Sequence, residues 1–145
     1  MNNQRGNILL LAMVVITVVL ILGSAILTIT KNTKARTTMN RDQIQVYYIA
    51  EAGVEMVLAR LKEDFNWQEW QQEFSSTISF AGGELEIERV RTIRKTEDEL
   101  TVEITSVGRY KYFKKSLKVK AKLQRDEENN VTTNIISWKE LYGVF

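Results

Sequence analysis

The chain has 145 residues, with 20 Lys and Arg against 18 Asp and Glu, and no His, Cys or Pro. Without Cys there is no disulfide framework, thiolate metal site or thiol nucleophile; without His the commonest general base and nitrogen metal ligand are gone. The charge is uneven: residues 1–41 carry five basic side chains (Arg5, Lys31, Lys34, Arg36, Arg41) and no acidic one, and the rest of the chain has a balance of −3, so the mild basicity does not by itself imply nucleic acid.

Asn7 to Thr30, NILLLAMVVITVVLILGSAILTIT, is 24 residues without a charge. A helix of that length rises about 36 Å, enough for a hydrocarbon core of about 30 Å. Apolar residues fall on every face, so this is a membrane segment rather than an amphipathic surface helix. A cleavable secretory signal would be cut near Gly23, Ser24 and Ala25, but the apolar run continues through Ile26, Leu27 and Ile29. One such segment leaves room for one compact domain.

No Gly or Pro stops the helix after Thr30, and from Asp42 an amphipathic pattern begins. Ile44, Tyr47, Tyr48, Glu51, Val54, Leu58 and Leu61 recur at spacings of three and four, predicting helix from Asn7 to about Lys62. That is on the order of 84 Å at 1.5 Å per residue, more than a bilayer needs, so its second half is expected to carry a domain on one side of the membrane. Phe65 to Phe74 reads as a connector whose aromatics Phe65, Trp67, Trp70 and Phe74 pack on the helix–sheet junction.

From Thr77 the period changes to two. Thr77 to Phe80, a turn at Ala81-Gly82-Gly83, and Glu84 to Arg94 read as a hairpin, with Leu85 and Ile87 on one face and Glu84, Glu86 and Glu88 on the other. After the charged turn 95–99, Leu100 to Val107 is a strand, Gly108 breaks it, and Arg109 to Leu123 is one long strand in which Leu117, Val119, Ala121 and Leu123 alternate with lysines. Val131 to Phe145 is apolar enough to be a final strand or a docked tail. Strands with one apolar face imply an antiparallel sheet of about four strands packed on the second half of the helix, an α+β arrangement.

Few residues suggest chemistry. Arg109 to Arg125 has eight basic residues and no acidic one, and Lys114, Lys118, Lys120 and Lys122 form a candidate anionic-surface patch. The favoured reading is a solvated face whose lysines lie across from Glu84, Glu86 and Glu88. The acidic runs 97–99 and 126–128 lack the alternating oxygens and Gly of a calcium loop. With no catalytic set, phosphate-binding glycine loop or zinc signature, neither an enzyme nor a cofactor is expected.

The N-terminal half, with QRG directly before the apolar run and then NRDQIQVYYIAEAGVEMVLARL, resembles PilX-type minor pilins, relatives of the pseudopilins of secretion and competence systems. The likeness covers Gln4 to about Leu61, and Ala50-Glu51-Ala52-Gly53 is its most specific piece. It implies a pilin-like fold and a prepilin with leader 1–6. A membrane prepilin peptidase would cut after Gly6 and leave Asn7 as an N-terminus that is commonly methylated, although major pilins usually begin with Phe. Leu11 stands where major pilins carry a glutamate, which fits a minor or tip subunit. The implied partners are prepilin peptidase, other minor and major pilins, and the inner-membrane assembly platform; nucleic acid is not expected.

Small residues favour close helix packing in filament and bilayer, and Gly23 to Ala25 offer one such face and Ala50, Ala52 and Gly53 another. Glu51 and Glu55 stand four apart with no helical cation, so one of them is expected to meet a basic group of a neighbouring subunit. The basic residues flanking residues 7–30 favour a cytoplasmic C-terminus; the resemblance demands the opposite, and its processing logic takes precedence here. The expectation is a minor pilin or pseudopilin in the cytoplasmic membrane, its C-terminal domain outside the cytoplasm. The alternative is a single-pass anchored domain that binds or senses something.

Overall fold

A computed structural model describes residues 3–64, 77–128 and 130–141. Helix α1 runs from Asn3 to Glu63, followed by β1 (Ile78–Phe80), β2 (Gly83–Lys95), β3 (Glu99–Tyr110), β4 (Phe113–Arg125) and β5 (Val131–Leu141). The chain divides into two compact units, Met1–Asn40 and Arg41–Phe145. The aromatic connector and the tail beyond Leu141 lie outside the described residues.

The first unit is helix alone. With no Pro, nothing interrupts its hydrogen-bond ladder. From Asn7 on, its side chains are exposed on all sides, and the helix is long and apolar enough to cross a membrane. Its hydroxyls look after themselves: Thr17, Thr28 and Thr30 each donate to the carbonyl four residues back, at 2.7, 2.9 and 2.9 Å, and Ser24 donates to Ile21 O at 2.8 Å. Within residues 7–30 every hydroxyl thus finds its partner in the helix itself, as an apolar surrounding requires.

The second unit is α+β. Five strands form an open antiparallel sheet in the order β1-β2-β3-β4-β5, each hairpin-linked to the next. One sheet face packs on the helix from Val46 to Leu61, and the core is built from Ile49, Val54, Val57, Leu58 and the inward residues of β2, β3 and β4. Of the stripe the spacing predicts, Val54, Leu58 and Leu61 are buried and Tyr47 packs against the core, but Ile44, Tyr48 and Glu51 are not part of it. Val46, Ile49, Ala50, Gly53, Val57 and Leu61 point to the sheet, whereas Ile44 and Tyr48 are 56% and 58% exposed. The small residues decide which side faces the sheet, because the sheet approaches where side chains are shortest.

Gly108 shows how close that approach is. A Cβ there would collide with Val46 O and stand 2.7 Å from Ala50 N. Gly108 therefore does not break a strand, as its position suggested; β3 runs through it to Tyr110, and the glycine admits the helix backbone. The expected single strand from Arg109 onward is in fact two strands, turned at Lys111 and Tyr112, with Lys111 at φ 53°. The C-terminal stretch is the strand of the two expected readings, β5, and it brings the sheet from about four strands to five. At the first hairpin Ala81 and Gly82 both have positive φ, 51° and 78°, as a tight two-residue turn demands, and Gly83 already belongs to β2.

Gly108→Ala is expected to destabilise the second unit by about 1–3 kcal/mol, since the colliding atoms are helix backbone and cannot rotate away. Urea unfolding of the full chain in detergent, followed by tryptophan fluorescence, checks this. An unchanged midpoint would show that the helix does not sit on β3 this closely.

Candidate functional site

Three surfaces hold the residues singled out from the sequence. The first is the apolar surface of residues 7–30, where Leu11 is 67% exposed; Gly6 and Asn7 lie in the first turns of α1. The second is the helix stretch 50–53. Here the structure separates residues that the sequence grouped. Ala50 and Gly53 are buried against the chain's own sheet, Gly53 facing Ser106 so tightly that a Cβ would clash with its Oγ. That close-packing face is thus occupied within the chain, which corrects the expectation that it is open to another subunit. Ala52 and Glu51 are half-buried, Glu55 is exposed, and neither carboxylate has an ion-pair partner among the described residues.

The third surface is the sheet face turned away from the helix. The lysines at period two do pair with carboxylates, but not with those of β2. Because β3 lies between β2 and β4, Glu103 receives Lys118 at 2.8 Å and Lys120 at 3.6 Å, and Glu99 receives Lys122 at 2.9 Å. Glu86 instead pairs with Arg109, at 2.6 Å. Lys114 stands on the same face with an interaction of its own. The hydrogen bond from Lys118 holds the Glu103 carboxyl below its ordinary range, helped by the charges of Lys118 and Lys120 and opposed by burial.

Three arginines join this face unannounced. Strict alternation from Leu85 and Ile87 would put Arg89 and Arg91 on the core side. Bulges between Ile87 and Arg89, and between Thr92 and Arg94, shift the register. Val90 is thereby buried, and Arg91 stands opposite Glu103 with Arg89 and Arg94 beside it. The signal was present in Ile87-Glu88-Arg89-Val90, where two polar residues in succession break the period.

Polar bonds tie the sheet to the helix at one end. Lys111 Nζ donates to both oxygens of the buried Asp42 at 2.9 and 2.8 Å, and this raises the lysine's pKa above its ordinary value. Gln45 donates to Ala81 O at 3.1 Å, and Trp138 Nε1 donates to Tyr47 Oη at 3.0 Å. Beside the β1–β2 turn an open depression of about 550 Å³ is lined by Phe80, Glu84, Arg109, Tyr110 and Lys111. Its two cations already serve Glu86 and Asp42.

What the fold and these surfaces define is an α+β protein with one long N-terminal apolar helix and an antiparallel sheet whose outer face is rich in cations. Comparison with known protein families, curated proteins and solved structures finds no match for the chain.

A depressed carboxyl pKa stabilises above its unfolded value and loses that contribution as pH falls through the folded one. Glu103 obeys this rule, and so does Asp126, whose carboxyl is lowered chiefly by the backbone N–H of Asn130. Thermal stability is therefore expected to fall as pH drops below about 5, and Glu103→Gln to flatten that fall. Melting curves of both proteins between about pH 7 and pH 3 check it; equal slopes would show that the Lys118–Glu103–Lys120 cluster carries no linkage.

Proposed function

We propose that the protein is a minor pilin or pseudopilin: a non-enzymatic subunit, processed at Gly6–Asn7, that starts or caps a filament of the type IV pilus, secretion or competence kind. The observation that carries the reading is the division of labour along α1. Residues 7–30 present bare apolar surface all round, and Val46 to Leu61 of the same helix form one layer of an α+β unit. A helix that is apolar on every side must be covered by lipid or by other helices. A subunit that first waits in a membrane and then packs into a filament meets both demands in turn.

Two further features support it. Leu11 leaves no charge to be buried among neighbouring helices, where an unpaired carboxylate would be costly. Gln4-Arg5-Gly6 stands directly before the apolar run, where a peptidase acting at the membrane surface would meet it. The partners that follow are prepilin peptidase, other pilins and a membrane assembly platform. The C-terminal unit would lie outside the cytoplasm, at the cell surface or in the periplasm once assembled.

Intact mass and N-terminal sequence of the membrane-extracted chain, with prepilin peptidase present and absent, test the proposal. The expected result is a peptidase-dependent chain that starts at Asn7 and stays uncut when Gly6→Val is introduced. A chain that starts at Met1 in both cases, or near Ala25, would overturn it in favour of an anchored or secreted binding domain.

A further inference from the structure

Two surfaces of the second unit carry charges that have no ion-pair partner among the described residues. On the outward side of α1, Ile44, Tyr48, Glu51 and Glu55 follow at spacings of four, three and four and so form one stripe. It combines two large exposed apolar side chains with two carboxylates that have no cation three or four positions away. On the other side of the unit, Arg89, Arg91 and Arg94 of β2 are exposed and without ion-pair partners among the described residues. The carboxylate opposite Arg91, Glu103, already serves Lys118 and Lys120. Ile93, at the second bulge, is 50% exposed beside them. Because β1 pairs only with Gly83–Leu85, this part of β2 is a sheet edge that no described strand covers.

We propose that these surfaces are the two halves of one contact between copies of the chain: the Ile44–Tyr48–Glu51–Glu55 stripe of one copy seats on the Arg89–Arg91–Ile93–Arg94 strip of the next. The proposal deepens the filament reading and rests on it. The spacings match. Glu51 and Glu55 lie about 6 Å apart along a helix rising 1.5 Å per residue, and Arg89 and Arg91 lie about 7 Å apart along a strand. With Glu55 at Arg89 and Glu51 at Arg91, Tyr48 reaches Ile93, so apolar meets apolar where the charges end. Guanidinium forks suit carboxylates, and the covered Tyr–Ile contact keeps water from screening them.

A second copy is favoured over a nucleic-acid partner because the same chain supplies both the acid and the apolar complement, and because Glu103 and Glu99 already hold the β4 lysines. The two surfaces are different and lie on opposite sides of the unit. The contact is therefore heterologous: it joins one copy to the next head to tail rather than pairing like surfaces in an isologous dimer.

The test uses the full chain in phosphatidylcholine vesicles without peptidase. The protein has no native Cys, so Tyr48→Cys and Ile93→Cys variants each report one surface. On oxidation, the two variants mixed are expected to give a disulfide-linked dimer that neither gives alone. Adding Glu51→Arg and Glu55→Arg should lower its yield about tenfold, and Arg89→Glu with Arg91→Glu on the other partner should restore it. Unchanged melting temperatures show that each variant is folded. A mixed dimer no more abundant than the like pairs, or one indifferent to charge reversal, overturns the interface. Processing at Gly6 is read separately, so loss of the cross-link with normal cleavage rejects this contact alone, and a cross-link without cleavage rejects the pilin class alone.

Discussion

The second unit depends on how closely the backbone of α1 approaches β3. Three small residues set that distance: Ala50 and Gly53 on the helix, and Gly108 on the strand. Once the backbones meet there, the larger side chains can only fill the flanks, which is where Val46, Ile49, Val57 and Leu61 pack. The same closeness lets short polar groups reach across. Asp42 meets Lys111 and Tyr47 meets Trp138 because the helix axis is held near the sheet. The approach has a cost. Ser106 Oγ, pressed against Gly53, is buried without a hydrogen-bond partner among the described residues, and such a group costs about 1–3 kcal/mol.

The broad plan was legible in the residues because two periods are written plainly into them. The uncharged run from Asn7 to Thr30 reads as a long apolar helix, and the alternation at Leu117, Val119, Ala121 and Leu123 as a strand with one buried face. The misreadings arose where one residue type serves two purposes. A glycine in a strand marks either a break or a close approach, and at Gly108 only the helix on the other side decides between them. The turn at Lys111 and Tyr112 carries none of the usual turn residues; Lys111 accepts a positive φ, and its ammonium is anchored on Asp42. In the helix, Val54, Leu58 and Leu61 are core as their spacing indicates, whereas Ile44 and Tyr48 look like core residues by type yet stay exposed, because the sheet selects the side with the shortest side chains.

Charge on the outer sheet face teaches a related lesson about topology. That the β4 lysines would find carboxylates followed from their spacing, but which carboxylates depended on strand order, and a meander puts β3 beside β4. The β2 arginines were harder to place, since each bulge reverses the facing of every residue beyond it. The first bulge keeps Arg89 and Arg91 out of the core, the second does the same for Arg94, and all three join a face already rich in lysine.

On the proposed function one helix is covered in two ways: on all sides along 7–30, and by its own sheet on one side along Val46 to Leu61. Because the chain has no Cys, single cysteines can be placed along α1 in vesicles and their alkylation by a water-soluble maleimide measured. Protection is expected at every position from 8 to 29. Beyond Asp42 a helical period is expected in chains diluted far enough to keep copies apart, with positions 46, 50, 54 and 58 protected until the unit unfolds and positions 44, 48 and 55 reactive. Reactivity along 8–29, or no period beyond Asp42, would contradict this arrangement.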